Sequence, residues 1–170
     1  KLASFFARVM WNYDQRYFLN ASVRAEGSSR FGENNRWGVF PAASAGWRIS
    51  GEDFLKDTQW LDDLKLRFGF GITGNNVGQN LASKELLGAG GTFWYDGAWR
   101  KTYKVTQNAN KDLKWERKFE YNLGIDFAFL SNRLYGSVDL YLRNTKDLLY
   151  WYDVPSPPYL FNRLLTNAGE

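Results

Sequence analysis

The ionisable side chains of this chain fall on alternate positions. In the run Phe119 to Phe129, Glu120 and Asp126 occupy even positions between Phe119, Tyr121, Leu123, Ile125 and Phe127. Asp139 and Arg143 repeat the rhythm between Val138, Leu140 and Leu142, and Arg24, Glu26 and Arg67 do so in earlier runs. Two carboxylates on one face are the minimum equipment for glycoside hydrolysis, one acting as acid and the other as base or nucleophile. Alternation alone accounts for these acids, and opposite charges on one face of a sheet neutralise each other as cross-strand pairs. The chain has no His and no Cys. A Ser-His-Asp or Cys-His centre is therefore excluded, as are a disulfide framework and the usual zinc ligands. Gly71 to Asn75 and Gly88 to Gly91 lack the Lys-Ser/Thr ending of a phosphate loop. No catalytic residue, metal site or cofactor is expected.

A second cluster has binding chemistry. Phe93, Trp94, Tyr95, Asp96, Trp99, Arg100 and Tyr103 gather five aromatic rings around one acid and one guanidinium. Flat amphipathic rings of this kind stack on sugar rings or serve at protein interfaces. They also pack loops on themselves or on neighbouring loops, and this space-filling reading is the preferred one. Ser28 to Gly32 with Asn34, Asn35 and Arg36 is loop chemistry too. It either knots a rim by hydrogen bonds or touches a ligand, and the turn-forming habit of Ser, Asn and Gly favours the knot.

What must hold these groups is a set of β-strands. Period-two alternation marks six of them: Ser4–Tyr13, Tyr17–Glu26, Trp37–Ile49, Leu64–Thr73, Phe119–Phe129 and Leu134–Arg143. Pro41 lies inside the third and cannot donate to a ladder, so a bulge or break is expected there. Gly51 to Leu61 suits one or two helical turns, with acids at the favourable N-terminal end. Connections at one end are tight (14–16 and 131–133) or medium (50–62). Those at the other end are extended (27–36, 75–113 and 150–166), the longest reading as a structureless loop.

Each strand has one apolar and one polar face, which fits either a soluble sandwich or a transmembrane barrel. The loop asymmetry favours the barrel, with short periplasmic turns and long extracellular loops. Aromatics make up 18% of residues, yet mean hydropathy is −0.50, a combination natural to strands that face lipid on one side and water on the other. No stretch approaches the roughly 20 apolar residues of a membrane helix. In this register Arg24, Glu26, Arg67, Glu120, Asp126, Asp139 and Arg143 face the lumen. Arg117 alone is in phase with the lipid face, near the long-loop end, where a charge costs only about 0–1 kcal/mol. Trp11, Tyr13, Tyr17, Trp47 and Phe129 fall near the short-turn ends, as an interfacial aromatic girdle does. Net charge is +4, but the basic residues are interspersed with acids, so nucleic acid is not the expected partner.

The motifs Arg24-Ala25-Glu26-Gly27-Ser28-Ser29-Arg30-Phe31-Gly32, Asn34-Asn35-Arg36-Trp37-Gly38-Val39-Phe40-Pro41-Ala42 and Gly46-Trp47-Arg48-Ile49-Ser50 resemble the barrel of the SusC/RagA family. Leu64-Lys65-Leu66-Arg67, Gly71-Ile72-Thr73-Gly74-Asn75, Asn122-Leu123-Gly124-Ile125-Asp126, Asn132-Arg133-Leu134 and Thr145-Lys146-Asp147-Leu148-Leu149 continue the resemblance in the same order. The family comprises TonB-dependent outer-membrane transporters of Bacteroidota. The resemblance implies an all-β, antiparallel transmembrane barrel portion of about six strands. Residues 1–170 would be a C-terminal part of a larger barrel, with the plug domain and remaining strands outside this chain. It further implies location in the cell outer membrane, import of oligosaccharides or peptides, a SusD-like surface lipoprotein as lid, and energy from TonB through the missing N-terminal part. Trp94, Tyr95, Asp96, Trp99, Arg100 and Tyr103 would then be substrate-binding or lid-contacting. The alternatives are a passive outer-membrane barrel or surface-binding scaffold, and a soluble all-β module that buries Trp11, Trp47 and Phe127.

Overall fold

A computed structural model describes residues 1–55, 58–76 and 78–169. The strands are β1 (Leu2–Tyr13), β2 (Tyr17–Ser28), β3 (Trp37–Arg48), β4 (Leu61–Asn75), β5 (Leu86–Tyr95), β6 (Ala98–Gln107), β7 (Glu116–Phe129), β8 (Leu134–Lys146), β9 (Leu149–Asp153) and β10 (Arg163–Asn167). Six form one antiparallel sheet in the order β1-β2-β3-β4-β7-β8, and two hairpins, β5–β6 and β9–β10, stand apart. The sheet does not close on itself; β1 and β8 are its edges.

All six alternating runs are strands, and several extend beyond their apolar pattern. β7 starts at Glu116 and β8 continues to Lys146, where Arg117 opposes Lys146 and Lys118 opposes Thr145. Backbone pairing needs no apolar side chain, so the ladder outruns the alternation that betrays it.

Three expectations are corrected. The segment 75–113 is not structureless, because it carries the β5–β6 hairpin. The link 150–166, expected only to be long, contains most of β9 and of β10. Pro41 causes no bulge: β3 runs through it, and Val23 pairs with it directly. Instead the β3–β4 ladder begins at Ala42, the next residue, so the missing donor marks the end of that ladder. Over 51–61 no α-helix forms among the described residues. A single 3₁₀ turn covers Ile49–Gly51, followed by turn bonds such as Leu55 N–H to the Glu52 carbonyl at 3.0 Å. Lys56 and Asp57 lie outside the described residues.

Among the described residues no second layer covers the apolar face of the sheet. Val9, Val138 and Leu140 are 69%, 56% and 65% exposed, and Trp11 and Trp47 are 49% and 38% exposed. A soluble sandwich buries this face, so that alternative is set aside. The buried apolar cluster lies instead at the long-loop end, where Phe31, Phe40, Ala82, Leu113, Trp115 and Leu165 meet. Phe31 packs on Trp115 with ring centroids 4.4 Å apart, and Phe40 meets Trp115 edge-on at 5.5 Å. Phe40 reaches inward over Gly74, where any Cβ would run into its ring. This cluster ties three long connections to the top of the sheet.

Candidate functional site

The polar face is built by register. Arg67 opposes Gly124, which opposes Asp139; Glu120 opposes Arg143. All seven ionisable residues expected on this face have partners within it. Arg67 Nε and Nη2 bond Asp126 at 2.7 and 2.8 Å, and Nη2 also reaches Asp139 at 3.1 Å. Arg143 Nε and Nη2 bond Glu120 at 3.1 and 3.0 Å. Arg24 pairs with Glu26, two residues along the same face of β2. Gly124 makes the three-strand bridge possible, because a side chain there would occupy the space of the Arg67 guanidinium and the Asp139 carboxylate. The charges therefore offset one another along a polar wall, and the paired carboxylates serve as ion-pair partners.

On this face, small residues open a trough. Ser22, Ala42, Ala43, Ser44, Gly69 and Gly71 line a cavity of about 370 Å³ together with Thr73, Glu120 and Asn122. Asn20 borders it, and its Oδ1 is buried with no partner among the described residues.

The aromatic cluster of 93–103 is the β5–β6 hairpin. Asp96 and Gly97 have φ of 50° and 71°, the left-handed pair that a two-residue hairpin turn requires and that Asp-Gly favours. Trp94 faces Trp99 across the turn, rings perpendicular at 5.5 Å, with Lys101 and Tyr103 following on the same side of β6. Phe93, Tyr95 and Arg100 occupy the other side, with Phe93 and Tyr95 at 6.1 Å. Trp94, Tyr95, Trp99 and Tyr103 are 59–70% exposed. The rings touch each other, but they are not buried beneath neighbouring loops. Both faces carry polar and aromatic residues, so no period-two signal announced the hairpin.

Its base is held by a device the sequence reading missed. Gln107, only 3% exposed, donates from Nε2 towards the carbonyls of Leu81, Ala82 and Lys84 at 3.0, 3.1 and 2.8 Å, and accepts from Gln79 at 2.7 Å. Asn108 donates to the carbonyls of Phe161 and Arg163, Asn110 to that of Leu165, and Asn167 to those of Lys114 and Asp147. The run Gln107-Asn108-Ala109-Asn110 was the available signal. The 28–36 knot also serves structure: Phe31 is buried, its carbonyl accepts from Ser83 Oγ at 3.0 Å, and Gly32 N–H donates to the Leu113 carbonyl at 2.8 Å. Arg117, the lipid-phase exception, turns to Asp147 at 2.8 Å. Burial pushes the Asp147 carboxyl up, but Lys114 and Arg117 outweigh it and hold it below the usual carboxylate range.

At the short-turn end, Trp11 stacks on Tyr13 at 5.7 Å and Trp60 on Phe129 at 5.7 Å. Glu52, at the end of the Ile49–Gly51 turn, accepts from the Tyr17 hydroxyl at 2.6 Å and from Trp47 Nε1 at 2.9 Å. Those two bonds, the Tyr17 one foremost, hold its carboxyl below the usual range.

The profile of the family described as TonB dependent receptor-like, beta-barrel matches residues 1–170. TonB-dependent receptor SusC of Bacteroides thetaiotaomicron is 41% identical over 173 residues, covering 99% of this chain and 17% of that protein. TonB-dependent receptor P39 of Formosa agariphila is 41% identical over 170 residues, covering 99% of this chain and 16% of that protein. Among solved structures, the RagAB peptide importer in its open-open state superposes with a TM-score of 0.87 at 31% identity, over 99% of this chain and 18% of that one. The closed-closed state gives 0.84 over 98% of this chain. The chain spans about a sixth of the length of the curated relatives it matches.

Proposed function

The chain belongs to the TonB-dependent receptor-like β-barrel family of outer-membrane proteins, and from that premise we propose that it is part of the barrel of an importer of oligosaccharides or peptides. Residues 1–170 supply six wall strands and three extracellular connections. The remaining strands, the plug and the TonB-contacting segment belong to the rest of the protein. Substrate binds at the outer rim, TonB rearranges the plug, and the substrate passes along the polar wall. No step requires catalysis by these residues.

The observation that carries this reading is the sheet itself: apolar outside, polar and charge-compensated inside, open at both edges. Open edges at membrane depth leave backbone groups unsatisfied, so further strands must complete the wall. Arg24, Glu26, Arg67, Glu120, Asp126, Asp139 and Arg143 form the lumen side of that wall. The β5–β6 hairpin, with Trp94, Tyr95, Asp96, Trp99, Arg100 and Tyr103, stands free at the rim and is the surface assigned to a SusD-like lipoprotein lid or to incoming substrate.

The test is purification of the native protein from detergent-extracted outer membrane. A polypeptide several-fold heavier than 19.7 kDa, co-purifying with a lipoprotein, supports the importer. A protein of that mass without plug or lid overturns it in favour of a passive barrel or scaffold.

A further inference from the structure

We propose that the cavity at the outer end of the β4–β7 ladder is a subsite for one neutral, hydroxyl-rich sugar ring. The inference rests on the import reading and names the substrate class within it. Asn75 and Glu116 are the last cross-strand pair of that ladder, on its polar face. The β9–β10 hairpin contributes Leu149, Trp151 and Leu165. Between them lies a cavity of about 320 Å³, at the small end of the roughly 300–1,000 Å³ typical of ligand sites. Asn75, Asn76, Gln79, Glu116 and Trp151 line it, with Leu149 and Leu165 as its apolar floor.

The chemistry of the lining matches a pyranose. A sugar hydroxyl both donates and accepts, and so does each of the three amides. Asn76 Oδ1 is buried and has no hydrogen-bond partner among the described residues, which is costly unless a ligand or water donates to it. The Glu116 oxygens each accept one bond, from Asn75 Nδ2 at 3.1 Å and from Leu149 N–H at 3.3 Å, and each retains acceptor capacity. Trp151 opposes Leu165 across the hairpin. Leu165 is 4% exposed, but Trp151 keeps 37% of its surface open. A ring seated on one side and open on the other offers a flat apolar face for the C–H side of a sugar.

Charge and geometry set the class. Among the described residues the only ionisable group lining the cavity is Glu116, an acceptor, and the wall beneath it is charge-compensated, so an anionic ligand finds no cation among them. Extended peptides are recognised by rows of backbone groups along a strand edge; the polar groups here are side-chain amides and a carboxylate. Along the strands the site follows the small-residue trough: Thr73 and Glu120 line the trough, and Asn75 and Glu116, further out on the same strands, line the site.

The experiment is isothermal titration of the full-length transporter with its lid, purified in detergent, against neutral hexasaccharides of glucose, xylose and mannose and against oligopeptides of matched length. The variants are Trp151→Ala, Trp151→Phe and Asn76→Ala. At least one hexasaccharide is expected to bind, with Asn76→Ala and Trp151→Ala each weakening it about tenfold or more and Trp151→Phe retaining part of the affinity. Should Trp151→Ala fail to give a heat-modifiable barrel, Asn76→Ala and Trp151→Phe decide, since both keep an aromatic ring at position 151. Sugar binding unchanged in every variant overturns the site but leaves the import reading standing. Binding of peptides alone overturns the sugar chemistry and also leaves import standing. Binding of neither class, with no uptake by cells, overturns both.

Discussion

The guanidinium of Arg67 on β4 grips Asp126 on β7 through two parallel bonds of 2.7 and 2.8 Å, and its Nη2 continues over Gly124 to Asp139 on β8. One cation thus spans three strands and satisfies two acids. A barrel wall exposed to water on this side gains little from isolated pairs, but a bridge of this kind also fixes register. We expect Arg67→Met to lower the heat-modification midpoint, and Arg67→Met with Asp126→Asn to be less damaging than the sum of the singles. The double-mutant cycle should give a coupling of about 0.5–3 kcal/mol. Gly124→Val should mimic Arg67→Met, because the added side chain occupies the space of the guanidinium.

Lipid and lumen faces are distinguished by one strand. Leu123 sits midway along β7 between Phe68 and Leu140 on the apolar face, and Asn122 beside it belongs to the polar face. Leu123→Arg should cost about 2–4 kcal/mol and deplete the protein from the outer membrane. Asn122→Arg should insert normally, as measured by heat-modifiable band intensity.

Glu52 links pH to the aromatic girdle. Its carboxyl is held low by the Tyr17 hydroxyl first and the Trp47 indole second. A depressed folded value contributes stability above the unfolded value, about 4.3, and that stability is lost as pH falls through the folded one. As pH falls below that unfolded value, the thermal midpoint of the native protein should therefore fall more steeply than that of Glu52→Gln. At neutral pH, Glu52→Gln should alter Trp47 fluorescence.

Gln107 is the fastener of the hairpin base. Gln107→Leu leaves the carbonyls of Leu81, Ala82 and Lys84 without their side-chain donor; Leu81 keeps the Lys84 N–H, and the buried Ala82 bond alone is worth about 1–3 kcal/mol when its acceptor is left unpaired. Limited proteolysis should then cut within 84–107 while the six-stranded wall stays resistant. Trp94→Ala with Trp99→Ala, both on exposed rings, should leave proteolysis unchanged and reduce recovery of the lipoprotein with the barrel.

The strands of the wall were legible because one face meets lipid and the other water, which writes the period of two directly into the residues. Phe119 to Phe129 and Leu134 to Leu142 needed nothing else. The hairpins were not legible for the converse reason. Trp94, Tyr95, Arg100 and Lys101 stand in solvent on both sides, so no face is forced to be apolar. Pro41 was read as a break because its missing donor was noticed without knowing that its strand loses one partner at that point. The charged wall could be listed from alternation, but its pairings depend on strand order: Arg67 meets Asp126 only because β4 lies beside β7, with the whole β5–β6 hairpin between them in sequence. The rim cavity escaped entirely, since Asn75, Glu116 and Trp151 come from three separate elements.

The most direct measurement is uptake of a labelled substrate by cells carrying the complete gene, compared with a deletion strain and with uncoupler-treated cells. Saturable uptake that disappears on deletion and on collapse of the proton-motive force is the predicted result. Uptake that persists under uncoupler and rises linearly with concentration would mean a passive pore, and would contradict the account.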